Sequence, residues 1–176
     1  MNLTDVAANK RTRFTVLGGP SFFGFMREIP DTTRVSNLDH NRRVLQVSPK
    51  SIVKSTDIIK TNQGVMFLVA DHGDGYSAGI FYRQFKLFEI NRTYNWKRKV
   101  TVVDSVTGLV MDSSYTDMGN IYCAEQPERQ LTDTLNIPEP TVSLLVGKAV
   151  QIDDKINNQT VTRVTQELGV YVVETK

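Results

Sequence analysis

Apolar and polar residues alternate with a period of two along most of the chain, and almost no stretch places apolar residues three or four apart. That pattern predicts an all-β protein made of short strands. Val, Ile, Thr, Tyr and Phe fit a pleated, half-buried surface. They mark strands at 13–17, 43–47, 65–69, 81–90, 99–104, 120–124, 149–152, 160–165 and 170–174. Between them, Gly18-Gly19-Pro20, Asn62-Gln63-Gly64, Asp71-His72-Gly73-Asp74-Gly75, Thr107-Gly108 and Asn157-Asn158 supply residues that accept positive φ or bond their own backbone, as hairpin turns require. One helix is expected over 1–10, too short to be stable in isolation.

Some features recur in the same order. Asp57-Ile58-Ile59 is followed by a turn and Gly64-Val65-Met66-Phe67-Leu68-Val69; Asp154-Lys155-Ile156 is followed, further on, by Gly169-Val170-Tyr171-Val172-Val173. Upstream, Val44-Leu45-Gln46-Val47-Ser48-Pro49 matches Ile121-Tyr122-Cys123-Ala124-Glu125-Gln126-Pro127 as a strand stopped by a proline, which cannot donate to a ladder. The repetition predicts two tandem small β-barrel-like modules with long loops, 1–95 and 96–176, the second a divergent copy of the first. Barrel closure would remove free strand edges. A single sandwich with coincidental symmetry is the alternative. The stretch 18–41 carries Gly18, Gly19, Pro20, Gly24 and Pro30 and reads as a loop far longer than usual, hence as a binding element.

Composition narrows the function classes. At 40% hydrophobic and 23% charged residues, the 176-residue chain has the makings of a globular core. Its longest uncharged apolar runs are less than half of the roughly 20 residues a membrane-spanning helix needs. The start, Met1-Asn2-Leu3-Thr4-Asp5, lacks the parts of a secretory signal, so assembly in the cytoplasm is expected. The net charge is +2, but it is graded: ten basic against five acidic residues in 1–60, six against six in 61–120, five against eight in 121–176. Such a gradient suits an end that faces an anionic surface or copies that meet head to tail; unequally charged solvated loops explain it equally well.

Reactive constellations are scarce. One cysteine and two histidines, Cys123, His40 and His72, make neither a disulfide nor a structural zinc site, and no cofactor or metal is predicted. Asp71-His72-Gly73-Asp74 could hold a cation but reads as a hairpin turn. Gly18-Gly19-Pro20-Ser21 lacks the later residues of a phosphate loop. Asp153-Asp154 would flank one glycosidic bond only in a turn or bulge. Cys123, inside an apolar strand, is expected to be inert. Phe22, Phe23 and Phe25 on the long loop must fold back or dock into another chain, and docking is the expectation. Basic residues Arg34, Arg42, Arg43, Lys97, Arg98 and Lys99 could face phosphates without reading bases.

In this order the features resemble the head-closure, or head-to-tail stopper, proteins of tailed bacteriophages. The resemblance is carried by 43–92, with its proline-stopped strand, the Asp57-Ile58-Ile59 step and the strands 65–69 and 85–90. It is carried again by Val102-Val103-Asp104-Ser105-Val106-Thr107-Gly108, 121–127 and Asp154-Lys155-Ile156. Family members usually have one barrel, where this chain would have two. The resemblance implies a non-catalytic virion protein that forms a homo-oligomeric ring in the neck, with portal or adaptor on one side, tail proteins on the other and genomic DNA in the channel. It implies a gating loop, assigned to Gly73-Asp74-Gly75-Tyr76-Ser77-Ala78-Gly79. Two other readings stand beside it. One is a polysaccharide-binding or hydrolysing domain using Trp96, Tyr94 and Asp153 or Asp104. The other is a different virion component: a tail-completion, decoration or hub-like protein.

Overall fold

A computed structural model describes residues 11–28, 43–77, 80–126 and 142–176. The expected helix at 1–10 and much of the segment 18–41 lie outside them. No helix occurs among the described residues, which form twelve strands. The first six are β1 (Thr12–Val16), β2 (Ser21–Glu28), β3 (Arg43–Val47), β4 (Ile58–Thr61), β5 (Met66–Ser77) and β6 (Ile80–Glu89). They close into a barrel in the order β1-β2-β3-β6-β5-β4. The second six are β7 (Arg92–Val103), β8 (Val110–Gln126), β9 (Val142–Val146), β10 (Lys155–Ile156), β11 (Gln159–Glu167) and β12 (Val170–Thr175). They close in the order β7-β8-β9-β12-β11-β10. Each strand of the first barrel therefore has a counterpart six strands later, and the protein is all-β with two barrels of one connectivity.

The period of two fills each barrel. In the first, Phe14, Leu45, Val47, Val53, Ile59, Phe67, Val69, Phe85 and Leu87 are buried together. In the second, Trp96, Ile121, Cys123, Leu144, Val146, Val150, Ile156, Val161 and Val173 are. The third strand of each supplies two inward residues two apart, Leu45 and Val47 or Leu144 and Val146. Gly24 on β2 faces Leu45: a Cβ there would lie 2.6 Å from the Leu45 Cδ1, so a side chain at this position would displace part of the core.

The turn before the fourth strand is where the repeat is most literal. Asp57 accepts the Lys54 N–H on its Oδ2 at 2.8 Å, and its own N–H donates to the Lys54 carbonyl. Thr56, before it, takes φ +72 and donates to the Val69 carbonyl, while the Val69 N–H donates to the Asp57 carbonyl. Asp154 accepts the Gln151 N–H on Oδ2 at 3.0 Å, and its N–H donates to the Gln151 carbonyl. Asp153 takes φ +71 and donates to the Val161 carbonyl, while the Val161 N–H donates to the Asp154 carbonyl. Four residues before each aspartate stands a buried valine, Val53 or Val150; two after, a buried isoleucine, Ile59 or Ile156. A short carboxylate that bonds its own backbone closes this turn in both barrels.

The other expected correspondences pair the wrong strands. Gly64–Val69 begins β5, whose counterpart is β11, whereas 169–173 belongs to β12. Likewise 44–49 holds most of β3, but 121–126 lies in β8, the counterpart of β2; the true partner of β3 is β9. Hydrophobic runs that end in glycine or proline look alike in any β protein, whereas the aspartate turn is specific because its hydrogen bonds are. The expected strand at 149–152 is part of this turn, its Val150 buried without a ladder.

The boundary also moves. Met1–Ile90 with Leu168–Val170 form one compact unit, and Asn91–Glu167 with Tyr171–Lys176 the other. The expected division at 95/96 falls inside β7, because Arg92, Thr93 and Tyr94 already pair with Cys123, Tyr122 and Ile121 of the second barrel.

Candidate functional site

The phenylalanines expected on a docking loop lie on β2. Strand alternation sends Phe22 inward, where its ring stacks on Phe14 at 5.5 Å between centroids. Phe23 and Phe25 point out: Phe23 is 62% exposed, and Phe25 lies under the Arg11 guanidinium, 5.5 Å from its ring centroid. The sequence reading missed β2 because Gly18, Gly19 and Pro20 outweighed the alternation that follows; they make the β1–β2 turn, with Gly18 at φ +75.

Gly73-Asp74-Gly75-Tyr76-Ser77 is not a loop. β5 runs through it, pairing with β6 out to Ser77 opposite Ile80. The turn signal at Asp71–Gly75 corresponds to a bulge between Asp71 and Gly73, with Gly73 at φ +103. Gly75 leaves room for the end of the Tyr82 ring, which a Cβ there would push aside. Ala78 and Gly79 lie outside the described residues.

Of the basic candidates, Arg34 and Arg42 also lie outside them. Arg43 bridges Glu89 at 2.8 Å and stacks over Phe67, at one end of the first barrel. A shallow depression of about 310 Å³ opens there, lined by Met26, Arg27, Arg43, Thr61, Gln63, Val65 and Phe67. Its described lining holds no carboxylate. In the second barrel, Lys97 pairs with Asp117 across β8 and with Lys155 across β10. Lys99 bridges Asp153 at 3.0 Å, which raises its pKa.

Arg98 belongs to a buried network instead of facing phosphate. Asp154 is 1% exposed and accepts the Trp96 Nε1–H at 3.0 Å, the Arg98 guanidinium at 3.4 Å and the Lys99 N–H at 3.2 Å, besides the Gln151 N–H. Arg98 also donates to the Ala149 carbonyl at 2.6 Å and covers the Trp96 ring. These donors leave neither oxygen of the buried carboxylate without a hydrogen bond. The same contacts remove the residues of a sugar-processing site. Trp96 is a core residue, Tyr94 packs against the core and donates to Glu125 at 2.7 Å, and Asp153 sits in the turn held by Lys99. Cys123 is buried in that core, and desolvation, with the Glu125 charge, pushes its thiol up to about 12.

Sequence reading placed a hairpin at 102–108 but missed that it is the tip of a long β-arm. β10 pairs with β7 only as far as Lys97, and β9 meets β8 only from Cys123 on. Arg98–Val103 and Val110–Thr116 thus form a two-stranded ribbon, with no third strand among the described residues. Val100, Val102, Val103, Leu109, Val110, Met111 and Tyr115 are all exposed on it, and Val106 at its tip is 92% exposed. The tip is nevertheless ordered by local bonds. Asp104 Oδ1 accepts the Val106 and Thr107 N–H groups at 2.8 Å each, which lowers its pKa, and the Asp104 N–H donates to the Leu109 carbonyl. Val100, Val102 and Val103 were legible as strand, but Asp112–Thr116 is polar and gave no sign that the pairing continued.

Compared with known proteins, the chain matches no family model, no curated protein and no solved structure.

Proposed function

We propose that this chain is a non-catalytic assembly subunit: a structural virion protein forming a ring in the head-to-tail connector of a tailed bacteriophage, where it closes the DNA-filled head and docks the tail. The observation that carries self-assembly is the β7–β8 arm. An isolated two-stranded hairpin is marginal in water, and contiguous exposed apolar surface marks an interaction site. Here an ordered turn presents Val106 and Leu109 beyond the barrel. In the proposed ring, each arm lies against a neighbouring copy, a repeated contact that closure multiplies. The resemblance supplies the connector identity, with portal or adaptor and tail proteins as partners above and below and genomic DNA meeting the channel through nonspecific electrostatics.

Sedimentation of the purified chain over a range of concentrations, with averaged electron micrographs of the largest species, tests the reading. Annular oligomers that grow with concentration are expected, and Val106→Asp with Leu109→Asp should abolish them while leaving Trp96 fluorescence and far-UV circular dichroism unchanged. A monomer at every concentration, indifferent to the tip substitutions, overturns it.

A further inference from the structure

The outer wall of the first barrel carries a second pattern, independent of the ring. Because Phe14 and Val16 pack inward, Arg13 and Thr15 on β1 point out; because Phe22 and Gly24 face the core, Phe23, Phe25 and Arg27 on β2 point out. Pairing sets Arg13 opposite Phe23, and Thr15 opposite Lys60 on β4. Arg11 covers Phe25. Arg11, Arg13, Arg27, Lys60 and Phe23 are all exposed. Next along the wall, Gln46 on β3 and Gln84 and Lys86 on β6 alternate outward in the same way. Arg13, Thr15, Ser21, Phe23, Phe25 and Arg27, the outward positions of β1 and β2, include no carboxylate.

The pKa of His72, on β5, is lowered by partial burial and then by the positive charges of Lys86 and Arg27.

We infer that this wall binds single-stranded nucleic acid, with Phe23 as the stacking platform and Arg11, Arg13, Arg27 and Lys60 as phosphate contacts. Cations alone would suit any polyanion. The exposed Phe23 selects among them: a duplex hides its base faces and an acidic peptide has none, whereas an unpaired strand offers base faces and phosphates alternately. The binding needs no base-specific hydrogen bond and is expected to be sequence-tolerant.

Fluorescence anisotropy of a labelled oligothymidylate of about 15 nucleotides, a length near one barrel's site size, tests this with the full chain. Tight binding at low salt is expected, with unlabelled duplex and polyglutamate competing poorly. Phe23→Ala, on the outside of the barrel, should weaken binding about 5- to 150-fold. Arg13→Ala and Arg27→Ala should each reduce the slope of log affinity against log salt by about 0.7. Arg163→Ala, an exposed cation of the second barrel, should change nothing. No binding at low salt, competition by duplex or polyglutamate equal to that of the single strand, indifference to Phe23→Ala, or a loss with Arg163→Ala matching that of Arg13→Ala would each overturn the inference.

Discussion

The turns that lead into β4 and β10 share a backbone path and differ in what surrounds their carboxylates. Asp57 is half-exposed and, among the described residues, accepts one N–H, that of Lys54. Asp154 accepts the equivalent N–H and is sealed beneath Trp96 and Arg98, which turn toward it from β7. In the first barrel the aspartate closes a turn. In the second it also anchors the base of the arm, because Arg98 and the Lys99 N–H, the first groups of the two-stranded ribbon, are tied to it. A shared local geometry is thus compatible with very different energetic weight, set by what the rest of the barrel adds.

The largest expected effect follows from that difference. Asp154→Ala strands the Trp96 N–H and a partly buried guanidinium, and should cost about 3–5 kcal/mol. Asp57→Ala loses one hydrogen bond at a half-exposed site, worth about 1 kcal/mol. Urea unfolding separates the two barrels, since Trp96 is the chain's sole tryptophan and lies in the second, while far-UV circular dichroism reads both. Cys123 adds a chemical probe of the second barrel, its thiol blocked by burial until the core opens. Equal losses for the two substitutions would break the comparison.

The glycines of the counterpart strands β2 and β8 sharpen it. Gly24 is required by space: Gly24→Ala pushes against Leu45 and Val47 and should cost about 1–3 kcal/mol. Gly119 is required by conformation. It takes φ +78, and a Cβ there would meet nothing within 4 Å, so Gly119→Ala should cost about 1–2 kcal/mol in backbone strain alone. Rescue tells the causes apart. Leu45→Val should recover part of the Gly24→Ala loss, and Gly119→Asn, which tolerates the left-handed region, should be milder than Gly119→Ala. The measurement is the urea midpoint, by circular dichroism for the first pair and by Trp96 fluorescence for the second.

Strand type and the tandem arrangement were legible because both rest on local signals: alternation along 43–47, 81–90 and 170–174, and the aspartate turn, whose shared carboxylate bond goes to the N–H three residues back. What was not legible depended on partners distant in sequence. The Gly-Asp-Gly at 73–75 has turn chemistry, yet β6 holds it in a ladder, and nothing local distinguishes a bulge from a hairpin. Trp96 and Arg98 stand 58 and 56 residues before Asp154, so a solvent-facing aromatic and a phosphate-facing arginine were natural readings of what is one buried network. The outward wall of the first barrel likewise needs the register of β1 on β2 before Arg13 and Phe23 become neighbours.

The smallest effect concerns protons, and it again divides the barrels. His72 has its pKa lowered in the folded chain by partial burial, with Lys86 and Arg27 adding to it. Above about pH 7.5 the imidazole is neutral whether the chain is folded or not, and it contributes no slope. As pH falls through the unfolded value, near 6.5, the unfolded chain takes up the proton first, so stability declines; the decline ends below the folded pKa, where both states are charged. Because the group is partly open to solvent, the change should be a small drop in the urea midpoint as pH falls from about 7.5 through the unfolded value, read by circular dichroism. His72→Gln should remove that component and Arg27→Ala should shrink it. Neither should alter the Trp96 transition, because both histidines of the chain, at 40 and 72, precede the second barrel. A His72→Gln chain with an unchanged decline would show that the positive wall does not reach this side chain in solution, which would also weaken the case for a polyanion on β1 and β2.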